Sequence, residues 1–307
     1  MKKPAYLLLL AVALFPAYRS SGQRPDPHNA VELSHDFDQT QKRLTIYSNN
    51  KDFCDYHLVV SFIYAEGFEG MSSEMSRTVG YGKRQVATYR VRADATRYSY
   101  NYRYVMYRGN SEEKPQVDFI YSLPVVANSA TTAAVVENPE GYQLAFDLPS
   151  DTVYASRGGV VCDDNLKDNT VKGHKYFNDN RRRSQVTVYH ADGSFGEYVV
   201  DGTSLVYPGQ SVKMGSPIAS VKNTGKYLLL FSVYFLDKNK LKNKDTGNKH
   251  THFRPFFQTI NEGKSRLTNG VSYLCEYTDE MLMQDMSRRE RKKFMETKKL
   301  KQPDEKQ

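Results

Sequence analysis

His250-Thr251-His252, Asp147 and three scattered thiols are among the side chains with metal or nucleophile chemistry within reach. On an extended strand alternate side chains share a face, so the two imidazoles of the His-x-His pair point the same way. A catalytic zinc takes about three protein ligands with free lone pairs and keeps one position for the water it activates, so this pair needs a third donor from elsewhere. A surface pair of histidines holding no metal is the commoner reading of the same residues. Cys162 with His174 or His190 could act as nucleophile and base. However, Cys162 ends an apolar stretch ahead of Asp163-Asp164, and neighbouring acids raise a thiol pKa rather than lower it. The sequence contains no Gly-x-Ser-x-Gly elbow and no glycine-rich phosphate loop opening a helix. The thiols Cys54, Cys162 and Cys275 match no paired zinc spacing. An odd number allows one bridge and leaves one thiol free; a Cys162–Cys275 pair is conceivable, and packing residues are the other reading.

The elements that must position these residues are strands. LVVSFIY (58–64) is a buried-strand run, 85–92 alternates, and Tyr98, Tyr100, Tyr102 and Tyr104 recur with a period of two that puts four rings on one sheet face. That ladder could be a sugar-binding platform, but strands favour Tyr for packing reasons alone. Short strands at this spacing predict an N-terminal β-sandwich over 28–125. A second β-rich region runs over 126–277. In it Ala191-Asp192-Gly193 is a tight-turn sequence, and Tyr207-Pro208-Gly209-Gln210 fits a type II turn. Residues 163–184 read as a long polar loop. Helix signals begin at Thr278, and 278–307 is expected to be a charged helical tail that frays at its end.

From Asp147 onward the motifs become specific. AFDLPSDTVYASRGGVV (145–161), VTVYHADGSFGEYVV (186–200) and VYPGQSVKMGSPIASVKNTG (206–225) occur in order. Together they resemble the LytM or lysostaphin-like zinc metallopeptidase family, whose members act on peptidoglycan. The resemblance covers about eighty residues, and HFRPFFQTINEGKSRLTNGVSY resembles the strand pair that trails that domain. It implies an all-β chain: a β-sandwich, then a LytM-like antiparallel domain of the duplicated-hybrid-motif type, then a short C-terminal helix.

Carried over residue by residue, the resemblance empties the metal site. The family's metal aspartate falls on Asp147, and Gln143 stands where its companion histidine would be. The catalytic histidine of the Tyr-x-His-Leu strand falls on Val200, and the closing His-x-His falls on Leu228 and Leu230. His190 matches a family position that is not a ligand. Val and Leu offer no lone pairs, Gln is a poor ligand, and one carboxylate cannot hold zinc against water. Val200, Leu228 and Leu230 are therefore expected to pack over the former groove floor. Asp147 is left needing a backbone amide or a nearby Arg or Lys. Neither zinc nor another cofactor is expected. The rival set is Asp147, His250 and His252 around a relocated zinc. Against it, a lysine-rich loop precedes His250, and Pro255 would interrupt a central strand.

The first residues set the compartment. Met1-Lys2-Lys3, an apolar run over 6–15 and Ser20-Ser21-Gly22 have the layout of a signal peptide over 1–22, and the run is too short for the roughly 20 residues that span a bilayer. No Cys follows the run, which argues against a lipid anchor. An exported protein in the periplasm or outside the cell is expected, with no membrane span after cleavage. The net charge of +8 is interspersed, with denser basic runs at 181–183 and 288–301, and no nucleic-acid reading motif accompanies it. The expected partner is peptidoglycan or a peptidoglycan-processing enzyme. The alternatives are an active endopeptidase with the relocated site and a secreted structural or adhesion module.

Overall fold

In the computed structural model, residues 30–138, 141–163, 184–222, 228–243 and 247–301 are described. The leader at 1–22, His174, the basic run at 181–183, the turn at 223–225 and the end at 303–307 lie outside them.

Six strands build the first half: β1 (Val31–Asp38), β2 (Arg43–Asn50), β3 (Tyr56–Glu66), β4 (Glu74–Val79), β5 (Gly82–Arg90) and β6 (Ser99–Arg108). They form two antiparallel sheets, ordered β1-β2-β5 and β4-β3-β6. Leu44 and Ile46 from one sheet and Leu58, Val60 and Phe62 from the other share one core. The tyrosine ladder lines this interior. Tyr98 stacks on Phe37 at 4.8 Å, Tyr102 meets Phe62 edge-on, and the Tyr102 hydroxyl lies 3.0 Å from His35 Nδ1. Tyr100, Tyr102 and Tyr104 are half-buried against the same core, so the period of two reflects packing between sheets.

The second half begins with β7 (Ile120–Tyr121), β8 (Ala130–Asn138), β9 (Gly141–Asp147), β10 (Thr152–Tyr154) and β11 (Gly159–Val161). It continues through β12 (Ser184–Tyr189), β13 (Ser194–Val200), β14 (Gly202–Ser204), β15 (Ser211–Val212), β16 (Pro217–Val221) and β17 (Leu228–Leu236). After α1 (Lys238–Lys242) come β18 (His250–His252), β19 (Phe256–Thr259), β20 (Gly263–Ser265) and β21 (Ser272–Leu274), then α2 (Asp279–Met283) and α3 (Arg288–Lys301). The main sheet runs β15-β11-β12-β13-β17-β9-β8-β21, with β18 also paired to β17. Two three-stranded sheets, β10-β16-β14 and β20-β19-β7, flank it.

Turn chemistry sets the hairpins. Gly193 takes φ +80° between β12 and β13, and Gly209 takes φ +86° where the Gln210 amide donates to the Tyr207 carbonyl at 3.1 Å. One face of the main sheet buries Leu144, Phe146, Tyr198, Leu229 and Phe231 in a core shared with Phe257 of β19. The chain is all-β with short helices, as the sequence predicts.

Three expectations need revision. β7 pairs in parallel with β19, so the chain joins the second half before residue 125. A short helix forms ahead of Thr278: Asp237 caps α1 by accepting from the Asn239 amide. The terminal helix is also broken in two. Thr278 caps α2, and Ser287 with Glu290 starts α3 afresh by reciprocal bonds, the Ser287 amide donating to Glu290 Oε2 at 2.8 Å. Gln284, between the helices, exchanges two hydrogen bonds with the Ile120 backbone, which ties this segment to β7.

Candidate functional site

The ladder between β9 and β17 decides which residues surround Asp147. Leu228 stands opposite Asp147 and Leu230 opposite Ala145, while Leu230 also faces Val199 of β13. Alternation then puts Asp147, Ala145, Gln143, Leu228, Leu230 and Val199 on one face. Leu230 is fully buried there in a small cluster with Val136, Ala145 and Val199, and Leu228 packs against it half-buried. Leu228 and Leu230 therefore do occupy the face beside Asp147.

Val200 does not join them. It pairs with Leu229, and its side chain lies in the main core on the opposite side of the sheet. The hydrocarbon on the Asp147 face at that point is Val199, because a step of one residue along a strand reverses the side. Gln143 shares the face but sits four residues from Asp147 along an uninterrupted strand, about 13 Å at the usual rise. These two cannot grip one ion. Asp147 is exposed, so solvent meets its carboxylate and no buried partner is required.

The relocated set does not assemble either. His252 pairs with Tyr234 and His250 with Leu236, at the far end of β17 from Leu228. Six residues of strand separate His252 from the level of Asp147, about 20 Å, and eight separate His250, about 26 Å. The two imidazoles bracket the Tyr234 ring at 5.2 and 5.1 Å, and His250 Nε2 donates to the Arg108 carbonyl at 2.8 Å. They are half-buried seam residues, not a surface pair.

The donor set thus fails the test for a catalytic zinc. Among the described residues facing the apolar cluster, Asp147 alone offers a charged oxygen, and its cross-strand neighbour is an isobutyl group. Further along the same face Glu197 accepts from Gln185 at 2.5 Å and from Ser232 at 3.3 Å. This carboxylate is already engaged and was not singled out by the motifs.

A buried charged centre was also missed. Arg157 is 1% exposed and bonds Asp192 at 2.9 Å and Asp285 at 3.0 Å, with its guanidinium 3.7 Å from the centre of the Phe119 ring. Asp192 further accepts from the Gln116 amide and from Ser194. Burial alone would raise its carboxyl pKa, but Arg157 and these donors hold it down to about 2. His190 is buried beside them with Nδ1 2.8 Å from the Gly158 carbonyl; burial first, then the Arg157 charge, lower its pKa to about 3. A carbonyl can only accept, so Nδ1 carries the proton of a neutral ring. This centre holds the β12–β13 turn and the α2–α3 joint together. The one sequence signal was an arginine set inside the apolar strand pair at 152–161.

Cys162 does not meet Cys275. It lies with Cys54, whereas Cys275 is buried against the carbonyls of Leu123 and Val125.

No family model matches the sequence, and no curated protein matches it either. Among solved structures, the chain is similar to pseudoalterin, an M23 metalloprotease from the deep sea, at 14% identity over 52% of this chain and 96% of that one, with a TM-score of 0.28. It is similar to Csd3 of Helicobacter pylori at 11% identity, 88% and 84% coverage and a TM-score of 0.26. A zinc-containing peptidase from Vibrio cholerae matches at 14% identity, 66% and 82% coverage and a TM-score of 0.20. Likenesses this weak carry no argument about chemistry, and the all-β architecture stands on its own hydrogen-bonded strands.

Proposed function

We propose that this is an exported, catalytically inactive peptidase-fold protein of the cell envelope that acts by binding peptidoglycan or a peptidoglycan-processing enzyme. One observation carries the inactivity: the face beside Asp147 is filled by Leu228, Leu230, Val199, Ala145 and Val136, none of which can donate a lone pair to a metal. The motif order over 145–225 supports the family ancestry, and the basic-then-apolar start supports export. A binding role fits a scaffold that keeps the motif order but lacks donors for hydrolysis.

The relocated active site has no geometric support, since His250 and His252 stand a strand's length from Asp147. Purified protein carrying its natural complement of metal tests the reading. The expected result is substoichiometric zinc, no muropeptide release from purified sacculi, and retention on insoluble wall or capture of a wall hydrolase. Stoichiometric zinc together with muropeptide release overturns it. Loss of both wall retention and hydrolase capture points instead to a structural module.

A further inference from the structure

Cys54 precedes β3 in the first half of the chain, and Cys162 directly follows β11 in the second. Both are buried, and their Sγ atoms, together with a carboxylate oxygen of Asp52, lie within 4.8 Å of one another. The backbone around Cys162 is pinned in place. Its own amide donates to the Thr187 carbonyl at 2.9 Å, and the next amide, of Asp163, donates to Asp52 Oδ1 at 2.7 Å. Asp52 Oδ2 in turn accepts from the Cys54 thiol at 3.3 Å. One carboxylate therefore registers both cysteines across the seam between the two halves.

Two thiols and a carboxylate could be read as a metal site, but the surroundings argue against a cation. Asp52 already accepts from the Phe53 amide, the Tyr56 hydroxyl and Arg108 as well as from Asp163 and Cys54. The Arg108 guanidinium lies 2.8 Å from that carboxylate and its Nε 3.4 Å from Cys54 Sγ, so a dication would meet a fixed positive charge. Two thiols facing one another remain.

We propose that Cys54 and Cys162 form a disulfide in the mature protein, clamping the N-terminal sandwich to the second β half and leaving Cys275 as the free thiol. Two S–H bonds break and one S–S bond forms. The two protons and two electrons end on an external disulfide: glutathione disulfide, which leaves as two glutathione thiols, or an oxidised thiol–disulfide oxidoreductase, which leaves as its dithiol. The attacking species is a thiolate. In the closed fold burial, with Cys162 beside it, raises the Cys54 pKa well above its ordinary value, so exchange belongs to folding, before the seam shuts. The pairing rests on geometry alone, while its persistence in the cell rests on the export proposed above.

The test refolds the full chain in a buffer of reduced and oxidised glutathione, followed by thiol counting under denaturing conditions, non-reducing peptide mapping and metal analysis. The expected result is one free thiol per chain, a mass lower by two hydrogens and a linked peptide pair containing Cys54 and Cys162. Cys275→Ser should keep the link and have no free thiol, whereas Cys54→Ser and Cys162→Ser should each show two. Reductant should lower the Tm of the natural protein and of Cys275→Ser but not of Cys54→Ser. Three free thiols, a link to Cys275, or stoichiometric zinc released by a thiol reagent would overturn the proposal. Because the assay is in vitro, its outcome is independent of localisation, which cell fractionation reads separately.

Discussion

Asp147 lies directly across from Leu228 in the antiparallel ladder of β9 and β17. Cross-strand partners have Cβ atoms about 5 Å apart, within reach of a shared ion if both carried donors. The natural protein should show no Tm change on adding zinc. The double variant Leu228→His and Leu230→His places two imidazoles beside that carboxylate, and zinc should raise its Tm. A zinc-dependent shift in the natural protein, or none in the variant when it is folded, counts against the site geometry.

The apolar cluster should carry stability. Leu230 is fully buried, so Leu230→Ala is expected to cost about 2–5 kcal/mol in urea unfolding. Leu228 is half-buried, and Leu228→Ala should cost less. Equal small losses at both positions would mean that this face is not packed as described.

Arg157 shares its charge between Asp192 and Asp285. Arg157→Ala strands a buried carboxylate and should destabilise by about 3–5 kcal/mol. Adding Asp192→Asn to that background should recover part of the loss, because the orphaned charge is then gone. Additive losses in the double variant would show that the two side chains do not act as a unit.

Acid should weaken the fold between pH 6.5 and about 3 through His190. Its pKa falls from the ordinary 6.5 to about 3 in the folded chain, so the unfolded chain binds the extra proton in that window. Stability therefore rises with pH there, with a slope of up to about 1.4 kcal/mol per pH unit from this group. Asp192, held down to about 2, adds loss of the same sign only below its ordinary 3.8. Urea unfolding from pH 4 to 7 should show this slope, and His190→Gln should flatten it above pH 4. An unchanged slope in that variant assigns the acid sensitivity elsewhere.

The strand content was legible because alternation and turn residues are local. The tyrosines at 98–104 and the glycines at 193 and 209 lie in the environments their spacing predicts. The break at Ser287–Glu290 was not read, because the charged run around it reads as one helix. Facing was harder. Whether Val199 or Val200 joins Leu230 depends on the partner strand's register, and a slip of one residue inverts the answer. The Asp52–Cys54–Cys162 and Arg157–Asp192–Asp285 groups join residues remote in sequence, so no local pattern announces them. The types of Gln143, Val200, Leu228 and Leu230 are plain in the sequence, but the separation of His250 and His252 from Asp147 required the ladder.

The joint between α2 and α3 sets where the folded body stops. Gln284 completes the backbone pairing of Ile120, and Asp285 neutralises an arginine sealed inside the protein. A chain cut after Tyr277 would lose both, exposing the edge of β7 and leaving Arg157 with a single counter-ion. What reads as a dispensable charged appendage is, up to residue 285, the final stave of the second half.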